Sequence, residues 1–274
     1  GVPVRVVASD PYTRWSSVNV IRGAADGSVS VYAHAVLGDV TGAQFRGIAD
    51  LQRLLDAGVR VTNRQNLVLR DVNEGDLPLI YEHLVALDMA RPGAELLRDV
   101  VACPGADTCN LGVTQSRGLA RAIDEALESE GLGEASGVRI NISGCPNSCG
   151  QHHVADIGFF GIERRAHGRA APGYQMLLGG HIGEQGVSFG TRAVRLPARS
   201  VPDAVTRIVH RFIHERDAGE AFRYWLSRIG GVSAIAQDLS DLLILPTPQE
   251  SPEYYVDFGE TRAFEVDLGE AECL

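Results

Sequence analysis

The stretches VACPGADTCNLG (residues 101–112) and INISGCPNSCGQHH (residues 140–153) carry four of the five cysteines of this 274-residue chain. A proline follows the first cysteine of each pair and bends the loop, so that both thiolates of a pair can reach one metal centre. Clustered cysteines in a chain of this size indicate metal or redox chemistry rather than a disulfide framework. The two pairs have the spacings Cys103-x5-Cys109 and Cys145-x3-Cys149.

Three other interpretations of these cysteines stay open at this point. A zinc-binding domain with four cysteine ligands would normally use two to four residues between the cysteines of a pair, and the first pair falls outside that range. A redox dithiol typically has two residues between its cysteines and lies beside a helix N-terminus, which neither pair matches. Four unligated buried cysteines in a non-catalytic scaffold are the third interpretation. His152 and His153 follow the second pair and are either metal ligands or, more commonly for such a position, supporting residues around the site.

Composition excludes several classes of function. The formal net charge of −10 argues against a nucleic-acid partner, which clustered basic side chains would bind. The sequence lacks an apolar run of about 18 residues and an N-terminal signal pattern, so we expect no membrane association and a cytoplasmic location. All 25 basic residues are arginines. A function that requires lysine must therefore obtain it from another chain.

The pattern of apolar residues predicts an α+β chain with three parts. Residues 1–92 combine strands and two amphipathic helices, residues 93–245 carry the cysteines on a mixed α/β domain, and residues 246–274 form an extended C-terminal tail. Thr41 is a candidate N-cap, and Asn63-Arg64-Gln65 is a turn between two strands. The other predicted elements are a hairpin within 17–37, helices at 41–57, 76–89, 114–130, 202–215 and 219–229, a short helix leading into Cys103, and strands at 138–143, 154–161 and 174–180.

The cysteine stretches with their flanks, residues 101–123 and 140–161, resemble the cluster-binding signature of the siroheme-dependent nitrite and sulfite reductases. Residues 37–69 are similar to the ferredoxin-like segment that precedes the cluster domain in that family, and residues 254–273 are similar to its C-terminal ending. The resemblance implies a ferredoxin-like half-domain followed by a siroheme and iron-sulfur cluster domain. It also implies the six-electron reduction of nitrite to ammonia or of sulfite to sulfide.

The resemblance also assigns residues. It implies that the four cysteines of the two pairs hold a four-iron four-sulfur cluster, and that Cys149 bridges this cluster to the iron of siroheme. Arg64 is implied as a cationic catalytic residue and as a siroheme contact, because an anionic macrocycle needs arginine forks and amide donors. The other implied siroheme contacts are Gln65, Asn66, Arg117, Asn147 and Gln151.

Enzymes of the resembled family contain two such repeats, and this chain matches the second one. We expect either the C-terminal half of a split or cleaved enzyme, which the initial glycine favours, or a single-repeat protein that pairs with a second copy. The expected partners are the N-terminal repeat or that second copy, a small anionic substrate, and an electron donor such as ferredoxin or a flavoprotein. The motif around Cys149 favours nitrite over sulfite as the substrate.

Overall fold

The computed structural model of the chain describes residues 10–23, 27–94, 96–133, 135–184 and 186–266. The chain divides into two compact units, residues 2–99 and residues 100–274. Both units contain helices and sheets, so the predicted α+β class is confirmed. The domain boundaries at 92 and 245 stay predictions. Among the described helices, none has the length and apolar character that crossing a bilayer requires.

The first unit folds around an antiparallel sheet with the strand order β1-β2-β4-β3. Strands β3 and β4 flank the predicted turn at Arg64, as the sequence indicated. In the described part of this unit the elements are α1 Pro11–Asn19, β1 Val20–Arg22, β2 Ser28–Ala33, α2 Gly42–Leu55, β3 Gly58–Val61, β4 Leu67–Asn73 and α3 Leu77–Ala86.

Local sequence signals explain most of these elements. Helix α2 begins with a capping box, in which the Thr41 hydroxyl accepts a hydrogen bond from Gln44 N and the Gln44 side chain accepts one from Thr41 N. Along β2, buried residues alternate with partly exposed ones, as expected for a strand with one face on the core. Leu51 of α2 and Leu69 of β4 are fully buried in that core.

The predicted start of the first hairpin at residue 17 is wrong. Residues 17–19 are the last turn of α1, and β1 begins only at Val20. The helix starts at Asp10, whose carboxylate accepts a hydrogen bond from Thr13 N at 2.8 Å, and Pro11 occupies its first position. Burial of Trp15 in the core then fixes this helix on the sheet.

The second unit contains a five-stranded sheet with the order β11-β8-β7-β6-β5. Strands β5, β6 and β7 run parallel, whereas β7, β8 and β11 pair antiparallel. A separate hairpin pairs β9 with β10. In the described part of this unit the elements are β5 Val101–Ala102, α4 Ser116–Ser129, β6 Ile140–Ser143, β7 Ile157–Ala166, β8 Arg169–Leu178, β9 His181–Gly183, β10 Gly186–Ser188, β11 Thr191–Pro197, α5 Val201–Glu215, α6 Phe222–Arg228 and α7 Val232–Asp238.

The segment before Cys103 differs from its prediction. The predicted helix that leads into this cysteine is absent from the described residues 96–102, and Cys103 instead follows the two-residue strand β5. Residues 101 and 102 pair with Asn141 and Ile142 of β6. The local sequence favours a helix, but pairing with a strand about 40 residues away in the chain decides the backbone conformation.

Candidate functional site

The two cysteine pairs lie at one edge of the five-stranded sheet. Cys103 directly follows β5, and Cys145 comes two residues after the end of β6. Because β5 and β6 are parallel neighbours, their carboxyl ends meet at the same sheet edge. The Cys103 N–H also donates to the Ile142 carbonyl at 3.1 Å, which extends the strand pairing to the first cysteine.

Hydrogen bonds fasten the two cysteine loops to each other. The Gly144 carbonyl accepts from Val113 N at 2.9 Å and from Thr114 N at 3.1 Å. Gly144 also lies against Gly105, because a Cβ atom on Gly144 would be 2.5 Å from Gly105 Cα. Gly105 itself has a φ of 64°, which favours glycine. The two loops therefore approach more closely than side chains at these two positions would allow.

The sulfur atoms differ in exposure and environment. Cys145 is buried, Cys103 is partly buried, and both Cys109 and Cys149 are exposed. Burial raises the pKa of the Cys145 thiol, and negative charge on the three other cysteines raises it further, while the Asn147 N–H acts in the opposite direction. The three other sulfurs thus lie within electrostatic range of Cys145. A positively charged metal centre would offset this repulsion.

Cys103 Sγ already has polar neighbours. It accepts a hydrogen bond from Gly144 N at 3.1 Å, and it lies 3.5 Å from the Ser116 hydroxyl. Ser116 Oγ in turn donates to the Cys103 carbonyl at 2.6 Å. Donors of this kind stabilise a thiolate and tune the reduction potential of a cluster that it ligates.

Two residues that the sequence did not assign, Asn141 and Ser143, hold the loop of the second pair together with His152, which the sequence named as a ligand or a supporting residue. The Ser143 hydroxyl accepts from Gly150 N at 3.1 Å and lies 2.8 Å from His152 Nδ1. The Asn141 side-chain amide donates to the Gly150 carbonyl at 2.9 Å. His152 is fully buried, and burial, together with the charge of His153, lowers its pKa to about 4. The sequence signal is the polar pair Asn141 and Ser143 in an otherwise apolar strand.

The predicted siroheme contacts of the second unit surround these loops. Arg117, on the first turn of α4, forms an ion pair with Asp107 of the first cysteine loop, with 3.6 Å between Nη1 and Oδ2. Asn147 and Gln151 are exposed on either side of Cys149. Gln151 adopts a left-handed conformation with a φ of 57°, and its N–H donates to the Ser148 carbonyl. Their role as siroheme contacts stays a prediction.

Two of the predicted contacts of the first unit, Arg64 and Asn66, belong to a buried polar network. Arg64 is 8% exposed, and its Nε lies 3.6 Å from Asp99 Oδ2. The Asn66 amide nitrogen lies 3.1 and 3.2 Å from the two Asp99 carboxylate oxygens, and its oxygen accepts from Ala35 N at 3.0 Å. Gln65, between them, has a φ of 65°. Asp99, which the sequence analysis did not single out, is therefore the residue that holds Arg64 and Asn66 in place.

Comparison with known proteins identifies the family. Residues 93–237 match the model of the nitrite and sulphite reductase 4Fe-4S domain, which is more than half of the chain. The chain belongs to the nitrite and sulfite reductase family. Residues 22–87 match the ferredoxin-like half domain of the nitrite/sulfite reductases. The resemblance of the cysteine signature to this family is thus confirmed, and so is the ferredoxin-like half-domain.

Several curated proteins are similar to this reductase-family chain. It is 31% identical over 210 residues to the assimilatory ferredoxin-dependent nitrite reductase of Haloferax mediterranei, with 75% of this chain and 36% of that protein covered. It is 32% identical over 200 residues to a ferredoxin sulfite reductase of Mycobacterium tuberculosis, with 70% and 36% covered. The chain therefore spans about a third of the length of these relatives.

Two solved structures have a similar fold. The Mycobacterium tuberculosis NirA protein superposes with a TM-score of 0.66 at 29% identity, with 80% of this chain and 41% of that chain covered. A dissimilatory sulfite reductase I shares the fold with a TM-score of 0.63 at 13% identity, with 86% and 72% covered.

The donor set of this family member suits an iron-sulfur cluster. Within the described ranges, no group of three or more His, Cys, Asp or Glu side chains is arranged to hold a metal ion. A four-iron cluster takes four thiolates around its core. The sulfur donor set, the amide donor on Cys103 Sγ and the glycine contact between the loops all suit such a core. The matched 4Fe-4S domain supports the same cofactor.

Proposed function

We propose that this chain is the cluster-binding and siroheme-binding part of an enzyme that reduces a small oxyanion by six electrons. Nitrite reduced to ammonia is the proposed reaction, and sulfite reduced to sulfide is its alternative. The observation that carries the proposal is the meeting of two fastened cysteine loops at one sheet edge, with one thiol of each pair exposed. Relatives named as ferredoxin-dependent nitrite reductase and ferredoxin sulfite reductase support the reaction class.

The cysteines have distinct proposed roles. All four thiolates would hold the cluster, and Cys149 would in addition bridge it to siroheme. A bridging sulfur must be reachable by both groups, which the exposure of Cys149 and of Cys109 allows, and the resemblance of the second cysteine pair to the family selects Cys149. The cluster and siroheme, when bound, would supply one-electron transfer to the substrate. The Gly144 N–H that donates to Cys103 Sγ keeps this thiolate in place while the charge of the site changes.

The polar residues around the site complete the proposal. Arg117, Asn147 and Gln151 are proposed to donate to the carboxylates of siroheme. Gln65 and Asn66 are proposed to do the same from the first unit. Arg64 is proposed as a cation that holds the anionic substrate, and its pairing with Asp99 keeps the guanidinium orientation fixed.

Partners are part of the proposal because the chain spans about a third of its relatives. Without lysine, this chain can offer a substrate anion only arginine, histidine and neutral donors. We propose that the N-terminal repeat, or a second copy, supplies the remaining cationic groups. Ferredoxin, named for the relatives, is the proposed electron donor, and a flavoprotein is the alternative.

Anaerobic purification with its partner half tests the proposal. We expect about five iron atoms for every four acid-labile sulfides, because siroheme adds one iron to the four of the cluster, together with a siroheme absorption band and turnover of nitrite by a reduced dye. Faster turnover of sulfite would reverse the substrate assignment. Cofactors without turnover of either anion would leave only a cofactor-binding module. Zinc in place of iron would reject the whole proposal.

The bridging role of Cys149 has its own test. We expect Cys149→Ser to lose the siroheme band or its coupling to the cluster. The matched control is Cys273→Ser, because Cys273 lies outside both pairs and outside the described residues. A siroheme spectrum that Cys149→Ser leaves unchanged would reject the bridge.

A further inference from the structure

Residues 252–266, which we call the strap, fold back onto the second unit. The strap begins with a short helical turn, Pro252–Tyr255, that contacts β8. Tyr255 is buried, and its hydroxyl donates to the Pro246 carbonyl at 2.7 Å. The Phe264 N–H donates to the Tyr255 carbonyl at 2.7 Å, which closes the strap into a loop. The strap is therefore a folded part of this unit.

Asp257 joins the strap to the segment that follows Cys109. Its carboxylate is 4% exposed, and it accepts hydrogen bonds from Gln115 N at 2.9 Å and from Phe258 N at 2.8 Å. The side-chain amide of Gln115 donates to Glu260 Oε1 at 2.9 Å. Gln115 is the residue directly before α4. The strap thus binds the point where the first cysteine loop enters its helix.

A second attachment lies one turn further along α4. A Cβ atom on Gly118 would be 2.6 Å from Phe258 Cβ and 2.8 Å from the Phe258 carbonyl oxygen, so the strap touches the helix backbone there. Arg199 holds the other side of Phe258, with its guanidinium carbon 4.3 Å from the ring centroid. Arg199 also donates to the carbonyls of Glu253 and Val256. Two independent sets of contacts therefore fix the strap.

The far end of the strap lies beside the first cysteine pair. Arg262 and Glu265 line a cleft of about 690 Å³, including its solvent-open part, together with Cys109 and the residues around it. A smaller cleft of about 340 Å³ lies between the strap and Ala106, Val113 and Gln115. The strap is thus a wall of the space next to an exposed cysteine thiol.

We propose that the strap positions the Cys103–Cys109 loop for the iron-sulfur cluster, and that Asp257 is the positioning residue at its centre. The inference rests on the proposed function in so far as these two cysteines are cluster ligands. The alternative is a purely structural strap that stabilises the whole unit. The two alternatives differ in one respect: a positioning strap affects the first cysteine loop, whereas a structural strap affects both loops alike.

Hydrogen exchange on the full chain as purified separates these alternatives. The Asp257→Asn substitution replaces one of the two acceptor oxygens of the carboxylate with an amide NH2 group, which donates hydrogen bonds instead of accepting them. We expect amide exchange in residues 103–117 to rise by about tenfold, the size expected from the loss of one buried hydrogen bond. Exchange in residues 145–153 should stay unchanged, and Gly144 is left out of this range because its N–H donates to Cys103 Sγ. The matched control is Glu253→Gln, since Glu253 is an exposed acid of the same strap.

Iron release to a chelator provides the second readout. We expect iron to be lost several-fold faster from Asp257→Asn than from the control variant Glu253→Gln. Equal exchange increases in both cysteine loops, or no change in residues 103–117, would overturn the proposal. If Asp257→Asn does not fold, Glu260→Ala must show the same selective increase, and its failure would overturn the proposal. Zinc in place of iron would reject the proposed function, while the exchange result would still decide the role of the strap.

Discussion

Ser143 offers the sharpest test of how the second cysteine loop is held. Its hydroxyl is 1% exposed and bonds to Gly150 N and His152 Nδ1. Ser143→Ala removes both bonds with almost no change in volume, and it leaves two buried polar groups without this partner. Each lost bond costs about 1 kcal/mol, and an unsatisfied buried group costs about 1–3 kcal/mol. We therefore expect the free energy of unfolding to fall by about 2–4 kcal/mol.

Urea denaturation followed by tryptophan fluorescence measures this loss. The chain has two tryptophans, so a Trp15→Phe background leaves Trp225, fully buried in the unit that contains Ser143, as the only reporter. Ser129→Ala is the matched control, because the Ser129 side chain is exposed, and it should change stability by less than about 0.5 kcal/mol. A Ser143→Ala variant as stable as this control would refute the assigned role.

Three further predictions concern stability. The pKa of His152 is lowered from 6.5 to about 4, chiefly by burial, so its contribution to stability is complete above pH 6.5 and is lost as the pH falls towards 4. This loss of stability should reach about 2–3 kcal/mol. In His152→Gln the urea midpoint should change less between pH 7 and pH 5 than in the unsubstituted protein, and an equal change would contradict the prediction. Gly118→Ala should lower the melting temperature, because the clash with Phe258 outweighs the gain of about 1 kcal/mol in helix propensity, and a higher melting temperature would reject that contact. Asp99→Asn should destabilise the first unit by about 3 kcal/mol, because the buried pairing with Arg64 weakens. Urea unfolding followed by Trp15 fluorescence measures this change, and a midpoint equal to that of the unsubstituted protein would contradict the prediction.

Elements with strong local signals were predictable from the sequence. Thr41 and Gln44 define the start of α2 through contacts three residues apart. The alternation in β2 predicts its buried face, because successive side chains of a strand point to opposite sides. Trp225, in the predicted helix at 219–229, is fully buried. The first two of these features depend on neighbours within a few residues, and the third on the large apolar surface of one side chain.

Elements that depend on distant contacts were not predictable. Residues 101 and 102 form a strand only because β6 lies beside them. Residues 17–19 alternate like a strand, yet the cap at Asp10 and the burial of Trp15 make them part of a helix. The Pro- and acid-rich composition after residue 246 indicated an extended tail and gave no sign of a buried carboxylate at Asp257.

The sequence by itself determined the chemistry of this protein: two cysteine pairs, their spacing, the absence of lysine and the resemblance that places the chain in a reductase family. Only the tertiary structure decided which groups hold those cysteines. Parallel pairing of β5 with β6 brings Cys103 and Cys145 to one edge, and a hydrogen bond between residues 142 positions apart ties Asp257 to Gln115. The physical reason is that side-chain chemistry and turns are local properties, whereas the pairing of distant backbone and buried polar groups exists only once the sheet has formed.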